Sequence, residues 1–72
     1  MVSLETLKEY GFKTINEYYE YILKSLVNGQ HKQAKTLAEA LSTAQKVDAI
    51  EYLEDYVSKV ASECKTLILN AI

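Results

Sequence analysis

An all-α fold is what this 72-residue sequence predicts, and three observations predict it. Apolar residues recur at steps of three and four, the period of a helix and not of a strand. Proline is absent, and the two glycines, Gly11 and Gly29, stand between the periodic segments rather than within them. Helix-opening signatures precede those segments: Ser3, then Thr14 with Glu17, then Ser42 with Gln45. A single helical domain over residues 1–72 follows, with three short helices and one long C-terminal helix.

Ser3 caps a first helix over 4–10, and Gly11 stands just past its end, where left-handed geometry closes a helix. Thr14-Ile15-Asn16-Glu17 has the form of a capping box, with threonine at the cap and glutamate three residues on. A second helix then runs over 15–27. Ile15, Tyr18, Tyr19, Ile22, Leu23 and Leu26 share one wide apolar stripe along it. Asn28-Gly29 ends it. That dipeptide also suits a hairpin turn between strands, but the flanking period is helical. A third helix starts near Gln30 or His31 and ends near Leu41. Its narrow stripe of Ala34, Leu37, Ala38 and Leu41 lets a neighbour approach closely.

From Ser42 to Ile72 the chain has neither proline nor glycine. Ser42 and Gln45 form a second capping box. Ile50, Leu53, Val57, Val60, Cys64, Leu67 and Ala71 then follow at alternating steps, the a/d spacing of a coiled-coil seam. Ser58 and Ser62, moderate helix formers, are the weakest points of this run. A continuous helix of about 28 residues is roughly 42 Å long. Short connections make helices two, three and the first half of four antiparallel neighbours, which leaves the second half protruding. Its bare apolar stripe is large for a monomer, and a chain of this size buries only about 60% of its unfolded surface on its own. The expectation is a homo-oligomer joined through Val57, Val60, Ala61, Cys64, Leu67, Ile68 and Ala71.

Composition excludes several classes. Cys64 is the only cysteine, so no intrachain disulfide forms; on the seam it is expected to pack as a small hydrophobe. His31 is the only histidine and has no cysteine near it in sequence, which argues against a zinc site. Eight lysines face ten acidic residues, for a net charge of −2. That balance lacks the basic footprint of a nucleic-acid binder. None of the basic residues is arginine, so the bidentate forks that read guanine or clamp phosphate are missing too. No apolar run reaches the length of a membrane span and no secretory leader is visible, so the expected location is the cytoplasm, that of a host cell if the protein is viral.

Three constellations have chemistry to offer. Tyr21, Tyr52 and Tyr56 fall off the main apolar stripes, and Tyr52 and Tyr56 form an i, i+4 pair on one helix face. Tyrosines so placed either pack partly against a neighbouring helix or form a partner-binding surface. His31, Lys32 and Lys35 cluster at the start of helix three, where free backbone N–H groups and the helix dipole attract anions. They are a solvated face or a phosphate site. Asp48, Glu51 and Asp55 make an acidic strip, which without a pocket to separate their pKa values is a solvated face or a surface for a basic partner. No nucleophile–base pair, phosphate-binding glycine loop or metal motif is present, so no enzyme and no cofactor is expected.

The segments NGQHKQAKTLAEALS (28–42) and AQKVDAIEYLEDYV (44–57) join a helix ending in Asn-Gly, a lysine- and alanine-bearing helix, and a capped helix opening on Gln-Lys. In this, the stretch 11–57 resembles small all-helical proteins of unknown function encoded by bacteriophages and mobile elements. The resemblance implies an accessory protein that binds a host or viral component. A non-enzymatic inhibitor or adaptor that binds a cellular protein is the leading expectation. An oligomer sequestering a small anion such as a nucleotide comes second, with Tyr21 stacking on the base, and a nucleic-acid binder third.

Overall fold

Five helices make up the chain in the computed structural model, which describes residues 1–72: α1 (Leu4–Glu9), α2 (Ile15–Val27), α3 (His31–Glu39), α4 (Thr43–Leu53) and α5 (Lys59–Asn70). No strand is present. Side-chain oxygens of Ser3, Thr14, Ser42 and Ser58 accept the N–H three residues on and so open α1, α2, α4 and α5. At Ser42 the capping box is complete. At Thr14 it is modified, because Glu17 Oε2 accepts the N–H of Lys13 at 2.8 Å and not that of the cap.

Gly11 (φ 81°) and Gly29 (φ 77°) end α1 and α2 in the same way. The N–H of Phe12 reaches Leu7 O at 2.8 Å and that of Gly11 reaches Lys8 O at 3.0 Å. Gln30 and Gly29 repeat the pattern on Ser25 O and Leu26 O. Both are Schellman closures.

The single C-terminal helix expected from the seam is two helices. Ser58 is extended (φ −150°, ψ 160°) and caps α5, which folds back on α2, α3 and α4. Burial explains the break. The fold-back buries Ala61, Cys64 and Ile68 completely and covers Val60, Leu67 and Ala71 in part, all within one chain. Full burial of an aliphatic side chain the size of isoleucine is worth about 1.5–3 kcal/mol. Each helical hydrogen bond forgone at the break is worth only about 0.5–1.5 kcal/mol net. Burial wins. The stripe expected to join copies is therefore largely internal, and of its seven residues only Val57, 99% exposed, is left wholly in solvent.

The core centres on Tyr18, Tyr19 and Ile22 of α2. It is completed by Ala34 and Ala38 of α3, Ala49 and Leu53 of α4, Cys64 and Ile68 of α5, and Leu7 of α1. Ala34, Ala38 and Ala49 are fully buried, and their small size is what lets helix backbones close around the tyrosine rings. At the edge, Gln45 Oε1 accepts the N–H groups of both Ser42 and Val2, and its Nε2 donates to Val2 O at 2.7 Å. One amide thus caps α4 and holds the chain's N-terminal segment against it. The molecule measures 31 × 24 × 21 Å along its principal axes.

Candidate functional site

Four consecutive residues of α2 reach four different positions. The Tyr18 hydroxyl donates to Leu37 O at 2.7 Å, and that of Tyr19 to Asp48 Oδ2 at 2.8 Å. Glu20 Oε1 accepts the hydroxyls of Tyr52 and Tyr56 at 2.7 and 2.8 Å. The Tyr21 hydroxyl accepts from Gln33 Nε2 at 2.9 Å.

These bonds decide what the tyrosines can do. Burial, with Tyr10 nearby, pushes the Tyr18 hydroxyl up to about 12. Burial and the Asp48 carboxylate hold Tyr19 above the ordinary phenol range. Tyr52 is raised by its bonds to Tyr56 and Glu20, while Glu20 is held below the usual carboxylate range by the two phenols that donate to it. Tyr18, Tyr19 and Tyr52 are therefore neutral at physiological pH. Tyr52 and Tyr56 are half-buried, with hydroxyls committed to Glu20, so they clamp α4 to α2. Tyr21 lies apart from them. The structure does not bring these three together.

Tyr21 belongs to a different aromatic group. Its ring lies 5.5 Å from that of Phe12, which lies 6.1 Å from Tyr10 and meets the buried Tyr18 edge-on at 6.1 Å. Tyr10 is 60% exposed and Tyr21 39%, with Phe12 half-buried between them. The Schellman turn at Gly11 produces this patch. It reverses the chain directly after Tyr10 and brings Phe12 back onto the core. Tyr18 below and Gln33 beside fix the rings in place. A row of packed aromatic rings with both end tyrosines exposed has the composition of an interface hot spot. Tyr10, Phe12 and Gln33 were no part of the sequence-derived site. Phe12, placed one residue past a helix-closing glycine, was the available signal.

The basic cluster lines two hollows along α3. His31 and Lys32, with Gly29, Gln30, Gln33, Thr36 and Leu37, line an open hollow of about 510 Å³ at the start of α3. Lys35 lines another, with Glu39, Leu67, Asn70 and Ala71. Gln30 provides no side-chain cap, and its backbone N–H closes α2. Of the acidic strip, Asp48 is taken up by Tyr19, and Glu51 and Asp55 are exposed. Nowhere do three or more His, Cys, Asp or Glu side chains group as metal ligands do. Burial pushes the Cys64 thiol up to about 11, so it is protonated in the folded chain. No helix is long and apolar enough to cross a membrane. Compared with protein-family models, curated proteins and solved structures, the chain matches none.

Proposed function

We propose that this chain is a non-enzymatic interaction protein, of the accessory or adaptor kind, that docks a polypeptide partner on the Tyr10–Phe12–Tyr21 patch. The observation that carries the proposal is the exposure of Tyr10 and Tyr21, each packed on the half-buried Phe12, which rests edge-on against Tyr18. Rigid tyrosines bury much area at little entropic cost, and a few such anchors dominate most interfaces. The remaining hydroxyls of the aromatic set are spent inside the fold.

A photo-crosslinking residue in place of Tyr10 tests this, with the same residue at Glu63 on the exposed side of α5 as reference. A partner captured from Tyr10 and not from Glu63, and lost at least tenfold in Tyr21→Ala, is the expected result. Equal capture from both positions sinks the proposal. The nucleotide reading ranks second and rests on the uncapped start of α3 beside His31 and Lys32. Glu39, which lines the second hollow with Lys35, weighs against it. A thermal-shift screen decides it, since a nucleotide at 100 times its Kd adds about 2.7 kcal/mol of stability.

A further inference from the structure

We infer that the 54–58 connection is a hinge through which two copies of this chain exchange α5, with α4 and α5 straightening into one helix in each. Helical winding does not stop at Leu53. Glu54 keeps helical angles (φ −58°, ψ −29°), and the N–H groups of Glu54 and Tyr56 reach Glu51 O and Leu53 O at 3.2 and 3.0 Å. The rings of Tyr52 and Tyr56 remain paired at 5.8 Å, tilted by 46°, and share Glu20 Oε1. Between Tyr56 and α5 only Val57 and Ser58 intervene, and Ser58 has left the helical region.

Nothing in the hinge requires the turn. It holds neither glycine nor proline, and no non-glycine residue in the chain has positive φ. The seam from Ile50 to Leu67 passes through it unbroken. Asp55 and Lys59 stand in the i, i+4 order, acid first, that supports a continuous helix. Val57 is the seam residue that the hairpin leaves bare, at 99% exposure.

Exchange preserves what holds α5 in place. Ala61, Cys64 and Ile68 fill the same slot in the second copy, and Ala71 O meets that copy's lysine at the position of Lys46. What changes is confined to the hinge. The Ser58 cap is lost, one helical stretch is gained, and Val57 meets its symmetry mate where the two straight helices cross. With so little difference between the forms, concentration sets the balance.

The test compares three chains refolded from denaturant at millimolar concentration: wild type, Ser58→Ala and Ser58→Ala/Lys59→Pro. Ser58→Ala removes the cap that only the hairpin uses and lowers the dimer dissociation constant by more than about tenfold. Proline at 59 suits the first position of α5 but breaks a helix that runs through it. The expected result is a mass of twice 8.2 kDa by light scattering for Ser58→Ala, with increased helical signal and a largest dimension beyond 31 Å by small-angle scattering. The double variant returns to monomer. A dimer of wild type or Ser58→Ala that proline at 59 abolishes supports the exchange. No dimer in either chain, or one that survives the proline, overturns it.

Discussion

The ammonium of Lys46 donates to the carbonyl oxygen of Ala71 at 2.9 Å, so a buried lysine of α4 closes the last turn of α5. The final carbonyls of a helix lack intrahelical partners and carry the negative end of its dipole. Lys46 satisfies one of them from a neighbouring helix. It also gives α5 a preferred seating along α4, which apolar contacts alone define loosely.

Lys46→Met keeps the buried stem and removes the charge. A hydrogen bond to a charged group contributes about 1.5–3 kcal/mol, so urea denaturation should show a loss of that order. Lys46→Ala should lose more, because the stem goes as well. Equal stability of Lys46→Met and wild type would falsify the capping role.

Glu20 makes stability depend on acid. Its carboxyl is held below its ordinary value of 4.5 by Tyr52 and Tyr56. The unfolded chain therefore takes up this proton first as pH falls, and the contribution present above about 4.5 is lost through the lowered folded range. Glu20→Gln should flatten that part of the curve. Urea midpoints for both chains between pH 7 and pH 3 measure it; parallel profiles would rule the clamp out.

Cys64 does the reverse at high pH. The unfolded thiol ionises near its ordinary value of 9.0 and the folded one near 11. The unfolded chain therefore binds fewer protons between these values, and stability, complete below 9, falls as pH rises. Cys64→Ala should remove this fall while leaving the later one from Tyr18, which is held near 12. In the wild type at neutral pH, iodoacetamide should label Cys64 only as fast as the chain opens. Labelling at the rate of a free thiol would contradict the burial.

Gln45→Ala should cost about 1–2 kcal/mol, the scale of a lost N-cap, and should free the backbone at Val2. Gln45→Glu keeps the acceptor for Ser42 and Val2 but loses the donor to Val2 O. It should fall between wild type and Gln45→Ala. Amide exchange at Val2, read by NMR, separates the two effects.

The short helices were legible because their signals are local. Caps at Ser3, Thr14 and Ser42 and closures at Gly11 and Gly29 lie within a few residues of the ends they set. Helix two comes out at Ile15–Val27, as its stripe predicts. The last helix was misjudged because two arrangements satisfy one pattern. A seam at a/d spacing is buried equally well by a partner copy or by the chain folding back, and periodicity contains no term for the choice. Ser58 was the visible weak point, and its capping bond to Ala61 at 3.1 Å marks where α5 begins. The candidate site was hidden for a similar reason. Tyr10 and Tyr21 are 11 positions apart, one just past the end of α1 and the other within α2. What joins them is Phe12, returned by a turn whose geometry had been read only as a stop.

The tyrosine–tyrosine–glutamate–tyrosine run of α2 bears on how the helix is held about its own axis. Side chains leave a helix roughly 100° apart from one residue to the next. Residues 18–21 thus circle α2 once, tied to Leu37, Asp48, the Tyr52–Tyr56 pair and Gln33. A greasy stripe tolerates a small roll of the helix, since one apolar contact replaces another. Four polar tips aimed outward in turn do not, because a roll that relieves one lengthens those opposite. Rotation of α2 is thereby coupled to the positions of α3 and α4, and the three should loosen together rather than one at a time.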